Sequence, residues 1–322
     1  MKCKILCIGG ISQDVIFNTS DANIISKKKD NRAQQYIAFN FGSKNSSPSV
    51  MRTYGGGALN SAASFISLGI KAVPMSVIGD DFIGQEIFLY LKRKKINKKL
   101  IKVLPQEQTA FSFIINLPQA NEHVLFFSNE VLSKFRVTES DLRPVLTNWI
   151  YLSSLRSISA PYSIARIFDY AKEKAAKIFW NPGQQQIRTF EQYHKYLPQV
   201  DFFSINKAEA LALAKELKVK GKSESQIAQG LIKLGAQAVL ITDGSKGVNY
   251  YDQKTHYQQV AKTVKVVNTT GAGDAFNAGF LAGFLHYDQD IQRSLELGIK
   301  NSAAIIQTMG AHQGSLTIKN LY

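Results

Sequence analysis

A chain of 322 residues, 45% of them apolar, can form one large α/β domain or two smaller ones. No apolar run approaches a membrane span, and the apolar part of residues 1–10 is too short for a signal peptide and has no clear cleavage site. With two cysteines, Cys3 and Cys7, and no third ligand beside them, the expectation is a cytoplasmic protein with buried thiols. The formal net charge of +15 invites a nucleic-acid partner, yet the lysines are spread over many expected helices. The densest runs, 27–29 and 92–99, carry no nucleic-acid motif, so a solvated basic surface is expected, with no specific nucleic acid and no membrane as partner.

Residues 3–9 read as a buried first strand, with Asp14 following the Gly9-Gly10 turn. The stretch 19–49 is polar and irregular except for one alternating piece, 36–41, that fits a half-exposed strand. Gly55, Gly56 and Gly57 then open a helix of small and apolar residues that contains Asn60 and ends at Gly69. A buried strand follows at 72–78, then a helix from about 84 to 95. Apolar or alternating pieces at 109–116 and 123–128 join 36–41 in a small antiparallel sheet built from separated insertions. From Trp149 onward strands alternate with helices, the strands at 149–152, 177–180, 201–204 and 238–242. A hairpin at 247–251 and 257–260 precedes two closing helices, 274–285 and 291–309. This alternation argues a mostly parallel sheet with helices on both faces, whose ligands bind at the carboxyl ends of the strands. One domain with an inserted lid, from about 15–54 and 106–128, is the simplest organisation.

The stretch from Val266 to Phe280 organises the chemistry. A β-branched run ends in the polar turn Asn268-Thr269-Thr270, followed by Gly271-Ala272-Gly273-Asp274 and an apolar helical pattern. A helix starting there aims unpaired N–H groups and its positive dipole end at the turn, and the glycines let a ligand approach the main chain. A phosphate fits such a cradle, and Asp274 beside it can take a proton from an attacking hydroxyl. The plainer reading is a tight strand-to-helix turn with Asp274 as a helix-start residue. Other segments carry the same two readings. Gly55-Gly56-Gly57 with Asn60 is a hydroxyl-binding helix start or a close helix–sheet contact. Asp14 accepts the protons of a vicinal diol or caps a turn. Asn206-Lys207-Ala208-Glu209 is also an ordinary helix-start pattern, and Asp243-Gly244 also signals a hairpin turn.

Taken together, these segments resemble the ribokinase-like (PfkB) carbohydrate kinase family. Its D-T-x-G-A-G-D core matches residues 268–274 at all but the first fixed position, and Gly55, Gly56, Asn60 and Ala62 fill G-G-x-x-x-N-x-A. Residues 206–209 match N-x-x-E, residues 242–247 match T-x-G-x-x-G, and Asn181-Pro182 and Gly310-Ala311 match shorter elements. The resemblance implies a ribokinase-like three-layer α/β/α fold with a mostly parallel sheet and a small antiparallel β lid. It implies ATP-dependent transfer of the γ-phosphoryl group to a hydroxyl, with Asp274 as general base and Gly271, Ala272 and Gly273 in the anion hole. Asp14, Gly55, Gly56, Gly57 and Asn60 would bind the acceptor, and Asn206, Thr242, Gly244 and Gly247 the nucleotide. Glu209 would hold Mg2+ through water. Asn268 replaces the family's aspartate and loses the charge that helps bind a monovalent cation, so K+ activation is doubtful. The lid segment is longer and more polar than in a compact ribokinase, which leaves the acceptor open. A small sugar or sugar phosphate comes first and a ribonucleoside second. Phe39 and Phe41, like Phe111 and Phe113, would share a strand face and either stack on a base, pack within the lid sheet or make a dimer contact; a homodimer through the lid is expected. A non-catalytic sensor is the reading from another class, and the intact 271–274 string argues against it.

Overall fold

Short apolar runs bounded by glycines and polar turns supply most of the strands. The computed structural model describes residues 1–29, 32–117, 122–217 and 223–320. In chain order the first half holds β1 (Ile5–Ile8), β2 (Ser12–Asn18), β3 (Asn23–Lys29), β4 (Arg32–Ala38), β5 (Ser49–Gly55), α1 (Gly57–Ser67), β6 (Ala72–Gly79), α2 (Phe82–Arg93), β7 (Leu100–Leu104), β8 (Phe111–Leu117), β9 (Glu122–Ser128), and the short helices α3 (Glu130–Ser133) and α4 (Glu139–Leu142). The second half holds β10 (Trp149–Leu152), α5 (Ala160–Lys174), β11 (Lys177–Trp180), α6 (Gln184–Arg188), β12 (Phe202–Asn206), α7 (Lys207–Glu216), α8 (Glu224–Lys233), β13 (Ala238–Thr242), β14 (Val248–Asp252), β15 (His256–Gln259), α9 (Ala272–His286) and α10 (Ile291–Ile306). Among the described residues no helix is long and apolar enough to cross a membrane.

Nine strands form one sheet in the order β15-β14-β13-β12-β11-β10-β1-β6-β7. It is parallel from β13 to β7, and the β14–β15 hairpin adds an antiparallel edge. Strands such as Ile5–Ile8 and Trp149–Leu152 are buried at every position, as expected where helices cover both faces. On one face α5, α7 and α8 pack Ile164, Phe168, Leu213 and Ile227 around Trp180 and Phe203. On the other, α1, α9 and α10 pack Phe65, Phe280 and Leu295 around Tyr151 and Phe179. The result is three layers. From β1 the sheet grows through β6 and β7 in one direction; from β10 it grows through β11, β12 and β13 in the other. The order reverses between β1 and β10, and a crevice opens there beyond their carboxyl ends.

A second sheet, in the order β5-β2-β8-β9, stands beyond that crevice. Its outer pairs are antiparallel, while β2 and β8 run parallel. The parallel pair has a simple origin: β2 and β8 follow β1 and β7, which run in the same direction in the main sheet. The polar stretch 19–49 is more ordered than expected, because β3 and β4 form a separate antiparallel pair with Asn23 opposite Ala38. The strand expected at 36–41 therefore ends at Ala38. Phe39 and Phe41 lie beyond it and share no strand face, and Phe41 is fully exposed. The side chains of lysines 27–29 lie outside the described ones.

Candidate active site

Two helix starts meet at the crevice, and each is fixed by a glycine that nothing else could replace. Gly56, the N-cap of α1, has φ 93°, and a Cβ there would lie 2.4 Å from the carbonyl oxygen of Gly10. At Gly57 a Cβ would lie 1.9 Å from Ser153 Oγ, so the first turn of α1 rests on the ends of β1 and β10. Gly271, the N-cap of α9, has φ 79°, and its Cβ would lie 2.2 Å from the carbonyl oxygen of Ala311. Gly273 is exposed, and its Cβ would meet open space. No side chain caps α9. The N–H groups of Gly273 and Asp274 thus lack helical partners, whereas the N–H of Ala272 closes a turn onto the Thr269 carbonyl at 3.2 Å.

Asp274 is half-buried in the floor of a cleft of about 800 Å³ that runs from Asp14 and Ser112 past Gly57 to Asn206 and Glu209. Asn60 Nδ2 donates to its Oδ2 at 3.0 Å and the Tyr151 hydroxyl donates to its Oδ1 at 3.1 Å. Loss of solvent pushes its carboxyl up to about 6, and the two donors only partly offset this. Asp14, on β2, is buried and accepts a hydrogen bond from Ser112 Oγ of β8. Burial raises its pKa, and Ser112 pulls the other way. Gly55 is the neighbour that leaves room here: a Cβ would lie 3.2 Å from Asp14 Oδ2.

Asn60 departs from the expected role. It is 4% exposed and does not line the cleft. Its Nδ2 is committed to Asp274, and its Oδ1 lies 3.1 Å from His312 Nδ1. Each end of the amide is thus bonded to a protein partner, one of them the Asp274 carboxylate.

At the far end, Asn206 and Glu209 line the cleft and also form a reciprocal capping box at the start of α7, each bond 2.9 Å. Burial raises the Glu209 pKa, against the bonds with Asn206. Thr242 pairs with Asn206 across the β12–β13 ladder, placing the 242–247 turn beside the cleft. Thr242, Gly244 and Gly247 do not themselves line it. This turn is also a hairpin: Asp243 N–H bonds the Gly247 carbonyl at 2.8 Å, and Gly247 has φ 98°. Among the described residues no group of three or more His, Cys, Asp or Glu could hold a metal ion. Glu209 is a lone carboxylate with one oxygen bonded to Asn206 N–H, a donor set that fits a cation held mostly by water and phosphate oxygens. Asn268 spends its Oδ1 on the N–H of Thr270 at 2.9 Å.

Several lining residues had no local signal in the sequence. Ser112 and Phe127 join Asp14 on one face because β2, β8 and β9 register Asp14 with Ser112 and Ser112 with Phe127. Arg156 reaches over the Phe127 ring at 5.2 Å, and Arg188 lines the same cleft. Tyr151 and His312 reach Asp274 or its partner from a central strand and the C-terminal segment, and only the three-dimensional fold brings them there. Ser112 lines the cleft, whereas its neighbour Phe113 points the other way and packs on Phe17 at 4.6 Å.

Residues 4–318 match the pfkB family of carbohydrate kinases. The chain is 27% identical over 320 residues to a ribokinase of Lactococcus lactis, covering 97% of this chain and 93% of that one. It is 24% identical over 315 residues to a nucleoside kinase of Methanocaldococcus jannaschii, covering 95% and 91%. Among solved structures, a ribokinase of Cryptococcus neoformans in complex with ADP superposes with a TM-score of 0.74 at 17% identity, over 99% of this chain and 98% of that one.

Proposed function

The chain belongs to the pfkB family of carbohydrate kinases, phosphotransferases with an alcohol group as acceptor, and we propose that it transfers the γ-phosphoryl group of ATP to a hydroxyl of a small sugar or sugar phosphate. The observation that carries this reading is the Asp274 carboxylate in the floor of the cleft that also holds Asp14, with the uncapped start of α9 beside it. Asp14 holds the acceptor through its hydroxyls, and Gly55, Gly56 and Gly57 let it approach the main chain. Asp274 takes the proton of the attacking hydroxyl. The N–H groups of Gly273 and Asp274 stabilise charge on the transferring phosphoryl group. Gly271 sets the helix start. Catalysis on these terms is mostly positioning and electrostatics.

The nucleotide extends toward Asn206, with Thr242, Gly244 and Gly247 at its outer edge. Glu209 would hold Mg2+ through water, and the ion when bound would neutralise phosphate charge. Asn268 in place of a carboxylate, with its Oδ1 taken by the N–H of Thr270, argues against K+ activation. The four-stranded sheet is the lid, inserted through 15–54 and 106–128 into a single kinase domain, and its closure over the acceptor excludes water.

A ribonucleoside is the second reading, favoured by Phe127 and Leu125, which line the cleft and offer an apolar wall for a base. A thermal-shift screen of sugars, sugar phosphates and nucleosides separates the two. A coupled ADP assay with the stabilising acceptor then tests the mechanism. Asp274→Asn should lose ~10²–10⁴-fold in kcat, the usual contribution of a general base, with ATP binding retained. Turnover near the wild-type rate in that variant would remove Asp274 from the role.

A further inference from the structure

Asp274 is the end point of two hydrogen-bond chains that arrive from opposite sides. On one, the Tyr90 hydroxyl lies 2.6 Å from His312 Nε2, His312 Nδ1 lies 3.1 Å from Asn60 Oδ1, and Asn60 Nδ2 donates to Asp274 Oδ2 at 3.0 Å. On the other, Ser204 Oγ donates to Asn277 Oδ1 at 2.7 Å, Asn277 Nδ2 donates to the Tyr151 oxygen at 3.1 Å, and Tyr151 donates to Asp274 Oδ1 at 3.1 Å. All six supporting side chains are more than nine-tenths buried.

The direction of each chain follows from its end. An ionised carboxylate only accepts, so Asn60 must present its NH2 and turn Oδ1 toward His312. That oxygen needs a donor, which places the imidazole proton on Nδ1 and leaves Nε2 to accept from Tyr90. Likewise Tyr151 gives its proton to Asp274 and accepts from Asn277. Every donor points the same way, and chains of this kind polarise one another in a low dielectric.

We propose that His312 and Tyr151 are positioning residues for Asp274: through Asn60 and directly, they hold its carboxylate ionised and aimed into the cleft. Each carboxylate oxygen keeps a lone pair for the acceptor hydroxyl. The other titratable neighbour of Asp274 is the Cys7 thiol of β1, kept neutral by burial. His312 faces Tyr90 and Lys94, and Tyr90 faces Tyr54 and Arg93. Burial holds His312 down to about 4 and Tyr90 up to about 12. In the His312 chain, Asp274 alone then changes charge between those limits. The effect on rate rests on Asp274 being the general base; the effect on its ionisation does not.

The first test therefore needs no substrate. In wild-type protein at pH 8, 15N NMR should show His312 protonated at Nδ1; protonation at Nε2 would overturn the proposal. Next, the Asp274 carboxyl is titrated by 13C NMR, its signal identified by its absence from Asp274→Asn. Tyr151→Phe should raise the midpoint by about one pH unit, the worth of one hydrogen bond to a charged group, and His312→Ala, which acts only through Asn60, should raise it by a smaller but resolvable amount. His312→Asn, whose amide can still donate to Asn60, should restore it. Tyr90→Phe keeps the ring and serves if His312→Ala does not fold; it should shift the midpoint the same way by less. An unmoved midpoint in these variants rejects the chains as positioning devices. With ATP and the acceptor from the screen, kcat of His312→Ala should fall about 10–100-fold, the scale of a misplaced reacting group, at unchanged KM for ATP. A moved midpoint with unchanged kcat breaks the link to catalysis, whereas an active Asp274→Asn enzyme defeats the general-base reading and leaves the titrations standing.

Discussion

At the scale of single residues, the site works by opposing burial with directed donors. Asp274 loses solvent, which favours its neutral form, while Asn60 and Tyr151 favour the ionised one, and burial prevails, leaving the carboxyl at about 6. A general base acts only when ionised, so the sign of the pH dependence is fixed. As pH falls through about 6 the carboxylate gains a proton and kcat/KM for the acceptor should fall roughly tenfold per unit; above about 7 it should be flat. An unperturbed aspartate would place the same limb near 4. A profile of kcat/KM for the acceptor from pH 4.5 to 8.5 at saturating ATP checks this, and a constant value down to pH 5 would exclude Asp274 as the base. Asp274 itself was legible in the sequence, because the glycines and helix start lie beside it. Tyr151, Asn277 and His312 were not, because each looks like an ordinary core residue until three elements far apart in the chain converge. For the same reason Asn60 was legible as a site residue but not in its direction: a side chain at a glycine-rich helix start can face a ligand or another helix, and here α9 lies next to it.

At the scale of elements, the two glycines of the α9 start do different work and can be separated. Gly271 combines φ 79° with a Cβ position 2.2 Å from a backbone oxygen. Gly271→Ala must therefore move the 310–312 segment, and His312 with it. A melting-temperature drop of several degrees, corresponding to about 1–3 kcal/mol, should accompany loss of activity. At Gly273 a Cβ meets nothing within 4 Å, so Gly273→Ala should melt like the wild type while kcat falls about tenfold or more, since a methyl group would intrude on the proposed phosphoryl site. Equal melting losses in both variants would mean that Gly273 is structural. The same contrast between fold and site explains which strands the sequence revealed. Central strands such as Ile5–Ile8 and Ala238–Thr242 are apolar runs covered on both faces, and they stood out. The strand Ser12–Asn18 escaped notice because Ser12 and Asp14 turn toward the cleft; a strand that carries a binding site loses the alternation that identifies strands. Leu100–Leu104 escaped because it is a short edge strand after a lysine-rich segment.

At the scale of the whole molecule, the reversal of strand order between β1 and β10 places the cleft, and the second sheet stands over it. That sheet has an inner face carrying Asp14 and Ser112 and an outer face carrying Phe17, Val50, Phe113 and Phe126, aligned by the β-ladders. The Phe113 ring lies 4.6 Å from Phe17 and 6.5 Å from Phe126, yet Val50 and Phe126 remain 51% and 59% exposed. Apart from the exposed Arg52, which the ladders set beside Val15, this face is apolar; such a face is a site for association, and we propose that a second copy of the chain covers it. Each subunit carries a formal charge of +15, so two copies repel. The dimer should tighten as salt screens that repulsion, whereas a nucleic-acid complex would weaken as salt rises. Light scattering on a sizing column at 50 and 300 mM salt should find a dimer favoured at the higher concentration. Phe126→Asp should give a monomer that still binds ATP but has a raised KM for the acceptor, because the lid loses its support. A wild-type monomer at both salt concentrations would leave the outer face without this role, while a dimer unaffected by Phe126→Asp would move the interface elsewhere on the molecule.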